Sequence, residues 1–408
     1  MRLAPTHRFN PFTRHFRRGG RLRPGTLGAL CTLVVGICCL APSQACAQNA
    51  APNTTPDTAQ SSAQNTTQEA QPQFADLAAR AAAARDAQNL PLAIDLYRKA
   101  DQLNPNWAEG WWYLGQLSYD ANQYAGAIDA FNHVLQLNPK VAPAFALRGL
   151  CEYETGAYDD ALRDLNVAAA HGAASDSQNA QILRFHLAQL LTHAQRFQEA
   201  LLQYQYFAAH NLENPDMLVA MGLAGLRVPS FVQDVPAPSR ALYQSAGEAG
   251  FTFLADHSNK ADSLFQALFA RYPALPGLHF FYGLLLFSHA PDLAAVEFQK
   301  ELDVSQDNVQ ARAMLALSLM VAGEYHRALP EAELAYKAAP DMEMAQLALG
   351  RSLAETGDIP RATTLLQQVL KQDPNSLEAH LGMASVYSHT GKREEADRER
   401  KLCRGLEK

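Results

Sequence analysis

The stretch AEGWWYLGQLSYDANQYAGAIDAFNHVLQLNPK, residues 108–140, contains the pattern that decides the fold. Two apolar segments with helical spacing flank a short polar turn, and the second places Ala127 one helical turn before Phe131, on the same face. An alanine recurs every 34 residues on both sides of this stretch, at Ala93, Ala127 and Ala161 and again at Ala328, Ala362 and Ala396. A fixed period of this length predicts stacked helical repeats.

Small residues at fixed positions predict close packing between the two helices of each repeat. Gly115 and Gly149 let the first helix approach the second, since a larger side chain would hold the helix axes apart. Alanine stands at equivalent points, at Ala81, Ala188, Ala316 and Ala384. A proline that cannot continue a helix follows the second helix, at Pro105, Pro139, Pro340 and Pro374.

This unit resembles the tetratricopeptide repeat, a pair of antiparallel helices with a W-x2-L-G-x2-Y, A-x3-F and P pattern. The residues that match in register are Trp111, Leu114, Gly115, Ala127, Phe131 and Pro139. Ser118 stands where the family has tyrosine, and Arg148 replaces an apolar residue in the next copy. The resemblance implies an all-α, right-handed superhelical solenoid of antiparallel helix pairs, with repeat blocks at residues 74–213 and 277–408, the latter ending in a capping helix.

Between the two blocks the register breaks, so residues 214–276 are predicted to be an irregular helical connector. The run 228–238 contains three prolines and cannot form a continuous helix, whereas 239–256 and 260–272 have helical spacing. Two interpretations remain open. The connector is either a pair of diverged repeats joined by a long surface loop, or it contains a segment that folds back into the superhelix groove. In the second case Phe231 and Val232 form an internal plug.

The N-terminus has the order of a secretory signal. Seven arginines and no acidic residue precede an apolar run of sixteen residues, 26–41, which Ala45-Cys46-Ala47 follows. A basic region, an apolar core and a small-x-small site predict a signal peptide, residues 1–47, cut after Ala47. An uncleaved membrane tether and a lipid on Cys46 are the alternatives. Residues 48–73 are polar and contain no bulky apolar residue, so they are predicted to be a disordered linker.

Charge and motif content exclude several classes of function. Without residues 1–47 the chain keeps 27 basic and 41 acidic residues, a formal net charge of −14, which disfavours nucleic acid and anionic membranes as partners. The sequence has no H-E-x-x-H, C-x-x-C, G-x-S-x-G, P-loop or dinucleotide motif. We therefore predict no enzyme activity, no cofactor, no metal site and no catalytic residues.

The resemblance implies that the first helix of each pair lines a concave wall. It places eleven residues there, namely Trp112, Gln116, Tyr119, Tyr153, Phe185, Phe280, Leu284, Phe287, Leu317, Met320 and Arg351. The family's best-known peptide sites hold a C-terminal carboxylate with Lys, Asn and Arg, but here the matching positions are Trp112, Gln116 and Leu147. The wall is instead largely apolar and aromatic. We expect it to dock an apolar helical face of a partner, with Trp112, Tyr153 and Phe280 as anchors.

Three functions follow as hypotheses. The first is an exported, non-catalytic scaffold, periplasmic or in the cell envelope of a bacterium, that binds a protein or peptide partner. The second is an envelope assembly factor held to the membrane only by its uncleaved leader or a lipid anchor. The third is an enzyme or small-molecule binder built on residues 214–276. No set of candidate catalytic or ligand-binding residues in the sequence supports this third hypothesis.

Overall fold

The helical spacing of apolar residues produces helices throughout the computed structural model, which describes residues 58–173, 178–255 and 258–406. Within these ranges there are nineteen α-helices and no strand. The first eight are α1 (Thr58–Asp86), α2 (Leu90–Leu103), α3 (Ala108–Asp120), α4 (Tyr124–Leu137), α5 (Ala142–Thr155), α6 (Tyr158–Ala168), α7 (Gln178–His193) and α8 (Phe197–Ala209). A π turn, Ala169–Ala173, follows α6. The fold is therefore all-α, as the resemblance implied.

The remaining helices continue the same pattern to the end of the chain. Three lie in the predicted connector, α9 (Pro215–Gly225), α10 (Ala237–Leu254) and α11 (Ser258–Arg271). The last eight are α12 (Leu278–Leu286), α13 (Pro291–Val304), α14 (Val309–Val321), α15 (Tyr325–Ala338), α16 (Glu343–Thr356), α17 (Ile359–Gln372), α18 (Leu377–His389) and α19 (Arg393–Leu406). Thr66–Lys408 form one compact unit.

The helices stack as a solenoid. The extensive helix contacts join either consecutive helices or helices separated by one other helix along the chain. Such a pattern is the signature of repeats that stack in one dimension, in which each unit buries its apolar face against the next. None of the helices within the described ranges is long and apolar enough to cross a bilayer.

Small residues bring the two helices of a pair together, as the sequence predicted. A Cβ atom on Gly115 would lie 2.7 Å from the Phe131 ring, and one on Gly149 would lie 2.8 Å from a Leu165 methyl. Contacts this short are not tolerated by packed side chains. The periodic alanines, including Ala127, are almost completely buried at the same helix crossings.

Arg148, which departs from the family pattern, has a specific place between helices. Its guanidinium donates to both carboxylate oxygens of Asp164 on α6, at 2.5 and 2.8 Å, and to Asn132 on α4 at 2.6 Å. The planar fork of arginine suits such a bidentate contact. An ion pair with an added hydrogen bond therefore ties three consecutive helices together where an apolar residue was expected.

The connector is more regular than the sequence suggested, because α9 and α10 form a tightly crossed pair. A Cβ atom on Gly222 would lie 1.8 Å from the carbonyl oxygen of Tyr243, and one on Gly247 equally close to that of Leu218. The two backbones are therefore in direct contact, which only glycine permits. This pair differs from the other repeats in the position of its small residues, and the 34-residue register is lost here for that reason.

The predicted linker, residues 48–73, differs from the structure in part. Helix α1 begins at Thr58, so residues 58–73 are helical. Alanine and glutamine are frequent in this stretch and favour helix, and extending an existing helix adds one hydrogen bond per residue. Residues 48–57 and the predicted signal peptide, 1–47, lie outside the described residues.

The close approach of α9 and α10 yields a test of the packing. We expect Gly222→Ala to lower the free energy of unfolding by about 3 kcal/mol or more, because its Cβ would overlap a backbone carbonyl that has no room to move. Thermal unfolding followed by circular dichroism measures the change.

The matched control is Gly126→Ala in the first turn of α4. The nearest atom to its Cβ would be the Ser118 hydroxyl at 3.9 Å, so helix propensity alone decides the effect. We expect the control to be stabilising by about 0.5 kcal/mol. Equal melting temperatures for the two variants would contradict the backbone contact between α9 and α10.

Candidate functional site

A groove with a volume of about 590 Å³ is lined by residues from α8 to α18. Its apolar lining comes from successive helices, with Leu202 on α8, Leu254 on α10, Leu284 on α12, Met314 and Leu317 on α14, and Leu347 on α16. Phe287, just after α12, also lines it. We call this surface the inner groove. It is assembled from residues between Gln198 and Glu378, so no single repeat contains it.

The local sequence explains how these side chains are presented. Leu284 and Phe287 are three residues apart, and so are Met314 and Leu317, so each pair shares one helix face. The start of α12 is fixed by Glu301 of α13, whose carboxylate accepts hydrogen bonds from the Gly277 and Phe280 N–H groups at 2.8 and 3.2 Å. A carboxylate at this end also complements the helix dipole.

The polar lining of the inner groove is neutral or acidic. Glutamines 198, 205 and 310 contribute amides, and Glu343 and Glu378 contribute carboxylates, but no lining residue is a cation. Desolvation, followed by the nearby charge of Asp373, raises the pKa of Glu343. Glu378 accepts a hydrogen bond from the Arg351 guanidinium. The groove therefore combines apolar walls with unneutralised negative charge near Glu343.

Three of the eleven predicted wall residues lie in the inner groove, and a fourth is adjacent to it. Leu284, Phe287 and Leu317 line the groove directly. Arg351 contacts it through Glu378. The first helices of the repeats thus contribute part of the lining of this groove.

Other predicted wall residues are buried, and for these the expectation of an accessible surface is wrong. Phe280, a proposed anchor, has no exposed surface and packs against Phe298 of α13 with 5.5 Å between ring centroids. Phe185 and Met320 are also buried, each 4% exposed, as is Leu317 at the floor of the inner groove. The contact with Phe298 shows that the Phe280 side chain lies between helices.

The residues predicted at the start of the wall lie in the first block and do not line the inner groove. Trp112 is half-buried and meets Phe131 edge to face, with ring centroids 5.8 Å apart. Tyr119 is half-buried against Tyr124 at 6.1 Å, and burial raises the pKa of its hydroxyl. Gln116 is partly exposed between them. Their aromatic surface is largely used in packing between the repeats.

Tyr153 is covered by the chain itself. The Phe231 ring lies 5.5 Å from the Tyr153 ring at an interplanar angle of 89°, and only 2% of Phe231 is exposed. Burial raises the pKa of the Tyr153 hydroxyl. The structure therefore favours the interpretation in which the proline-containing run folds back onto the first block, and it excludes a plain surface loop.

Sequence reasoning missed the groove residues that come from outside the first helices. Leu202 belongs to α8, the second helix of its pair, and Met342 precedes α16. Leu202 is 56% exposed although its neighbours Ala200 and Tyr204 are buried. An apolar residue on the polar side of an amphipathic helix was the available signal.

The described part of the chain contains no group of three or more side chains that could hold a metal ion. His186, the residue most suggestive of a ligand, is buried, and its Nδ1 lies 2.8 Å from the Ile182 carbonyl oxygen. Burial lowers its pKa, which favours the neutral imidazole. It packs edge to face against Tyr153 at 4.9 Å.

Family models described as tetratricopeptide repeat match residues 108–141, 319–375 and 353–399. The chain therefore carries tetratricopeptide repeats in both predicted blocks. Such repeats are generally non-catalytic and bind protein or peptide partners. No curated protein matches the sequence.

Solved structures with a similar arrangement are only distant neighbours. Cut9-Hcn1 of the APC/C is 15% identical with a TM-score of 0.36, over 81% of this chain and 65% of that one. Yeast Tom70 is 12% identical with a TM-score of 0.32, over 82% and 76%. A MamA protein is 16% identical with a TM-score of 0.34, over 50% and 93%. This chain thus spans less than two thirds of the Cut9-Hcn1 chain.

The burial pattern distinguishes core from surface within α12 and its C-terminal end. We expect Phe280→Ala to lower the free energy of unfolding by about 3–5 kcal/mol, because it leaves a cavity against Phe298. Phe287→Ala should cost about 1 kcal/mol or less, since its side chain is partly exposed in the groove. Denaturant unfolding curves compare the two variants. A larger loss for Phe287→Ala would reverse the assignment of core and groove.

Proposed function

We propose that this chain, which carries tetratricopeptide repeats, is a non-catalytic scaffold that binds a helical segment of a protein partner in the inner groove. The observation that carries the proposal is the apolar lining of the groove. Leu202 is 56% exposed there, and Leu254, Leu284 and Phe287 are partly exposed above a floor of buried Met314, Leu317 and Leu347. Contiguous apolar surface left in water is costly, so it is typical of a surface that a partner covers.

The shape and chemistry of the groove favour a helix as the occupant. A volume of about 590 Å³ lined by successive helices suits the apolar side chains on one face of an amphipathic helix, whose other face stays in solvent. Met314, Met342 and Met344 contribute flexible thioether side chains. Methionine adapts its shape to different apolar surfaces, which suits a groove that receives the side chains of another protein.

The charge of the groove selects among helices. Glu343 and Glu378 are the charged lining residues, and no cation is present among the lining side chains. A partner helix with a lysine or arginine beside its apolar face would pair with Glu343 and offset the cost of desolvating its carboxylate. We therefore infer a basic amphipathic helix as the partner segment.

A photoreactive amino acid placed at position 202 tests the proposal in cells. We expect it to form a covalent product with a protein partner, and mass spectrometry should map the linked peptide to a basic amphipathic helix. In the purified pair, Leu202→Glu should weaken binding about tenfold or more, because it replaces apolar contact surface with a carboxylate that the complex would bury.

The matched control is position 293 on α13. Leu293 is 53% exposed, similar to Leu202, but does not line the inner groove. The same photoreactive residue at position 293 should give no such product, and Leu293→Glu should bind the partner like the unmodified protein. Equal labelling or equal loss of affinity at both positions would remove the support for this groove.

The proposal also places the protein outside the cytoplasm, in the periplasm or envelope of a bacterium. Its support is the order of basic, apolar and small residues over positions 1–47. N-terminal sequencing of the protein from its natural cells should find Gln48 as the first residue. A start before residue 26 would instead support the membrane-tethered assembly factor, a lipidated Cys46 would support a lipid anchor, and a full-length protein in the cytosol would contradict export.

A further inference from the structure

Residues 226–236, which we call the internal segment, join α9 to α10. The turn between α3 and α4 needs only residues 121–123 to join an antiparallel pair. The internal segment is several residues longer than such a connection requires. Its extra length reaches back to helices that are some eighty residues earlier in the sequence. A simple connector would not need this reach.

The backbone of the internal segment resembles that of a bound peptide. Phe231 has φ −84° and ψ 154°, and Val235 has φ −70° and ψ 121°, both extended. The single regular element is a 3-10 turn, Val232–Asp234. The segment has only a few short-range backbone hydrogen bonds of its own, from the Ser230, Asp234 and Val235 N–H groups, and the Val232 N–H is left to bond a side chain outside it.

Three aromatic rings from three helices form a pocket around Phe231. His193 of α7 stacks on the Phe231 ring, with centroids 4.5 Å apart and planes at 19°. The Tyr158 ring of α6 lies at 4.6 Å, and the Tyr153 ring of α5 meets it edge to face at 5.5 Å. Aromatic side chains in sheltered pockets of this kind are the usual anchors of recognition.

Two polar contacts next to the pocket involve the Val232 backbone, one with Gln189 of α7 and one with Arg240 of α10, and a third joins two side chains. The Val232 N–H donates to the Gln189 side-chain oxygen at 3.4 Å, and the Arg240 guanidinium donates to the Val232 carbonyl at 3.3 Å. Tyr153 Oη lies 3.4–3.5 Å from the Gln233 amide. These distances are long for hydrogen bonds, so the polar contacts define register more than they contribute affinity. A seated side chain beside main-chain hydrogen bonds is the arrangement of peptide recognition.

We propose that the pocket formed by Tyr153, Tyr158 and His193, together with Gln189, is a second peptide-binding site, which the chain occupies with its own Phe231. Its ligand class is an extended segment with an aromatic residue followed by a β-branched residue. A partner segment of this chemistry binds by displacing residues 226–236. The covalent link keeps the resident segment at a high effective concentration, so a competitor must overcome it. This site is separate from the inner groove and does not depend on it.

A peptide taken from the chain itself is the probe. The labelled 13-residue peptide LRVPSFVQDVPAP, residues 226–238, is titrated against the protein and against its Phe231→Ala variant, which empties the pocket. Fluorescence anisotropy should show binding roughly tenfold tighter to the variant, because the resident side chain no longer competes. The same peptide with alanine in place of its phenylalanine should bind the variant roughly tenfold more weakly.

Two further proteins locate the site. Ser230→Ala removes only a hydrogen bond within the segment, from its hydroxyl to the Phe231 carbonyl, so it should behave like the unmodified protein. Adding Tyr158→Ala to Phe231→Ala should abolish peptide binding. The proposal is overturned if the peptide fails to bind Phe231→Ala, binds both proteins equally, or binds without regard to its phenylalanine.

Hydrogen exchange on the unmodified protein provides a test that does not depend on a variant folding. The Asp234 and Val235 N–H groups donate to the Phe231 and Val232 carbonyls within the segment. A displaceable segment should open locally, so these amides and that of Val232 should exchange roughly a hundredfold faster than the buried amides of α10. Exchange at the rate of α10 would show that the segment is a permanent part of the core, and would also overturn the proposal.

Discussion

The structure depends on how closely two helices approach within a pair, and that distance is set by one residue without a large side chain. Gly115 faces Phe131 and Gly149 faces Leu165 at separations that a single added carbon would violate. Because the same crossing recurs, each pair presents the same face to the next pair. The repeats therefore bury their apolar residues between neighbouring pairs rather than in one central core. A change of one methyl group at such a position therefore affects the stacking of neighbouring repeats as well as its own pair.

This constraint explains why the fold was predictable from sequence while much of the site was not. Small and large residues at fixed spacing, such as Ala127 and Phe131, specify a helix pair by themselves. Whether a side chain faces the concavity depends on the next repeat. Phe280 and Leu284 stand on the same helix, yet Phe298 covers the first and leaves the second at the groove. The resemblance identified the correct helices, but it did not identify which face of each helix lies at the groove.

The connector shows what happens when the small residue moves. In α9 and α10 the backbone contact is made by Gly222 and Gly247, and the repeat pattern is no longer recognisable in the sequence. The helices remain, since their apolar spacing is intact, and sequence reasoning found α10 and α11 for that reason. The composition of residues 226–236 does not show where this segment packs, because Phe231 contacts the rings of Tyr158 and His193, which are distant in the sequence.

Two apolar surfaces of the solenoid therefore differ in what covers them. Tyr153 and Phe231 bury each other, so the chain covers its own aromatic surface and gains the stabilisation of that burial during folding. In the inner groove Leu202 stays exposed, so the same gain is available there only from another molecule. A surface filled in cis resists competitors through its effective concentration, whereas an open surface binds according to affinity alone. Two sites on one solenoid would then respond to partner concentration over different ranges, and the order in which they fill is determined by which apolar surface the chain already covers.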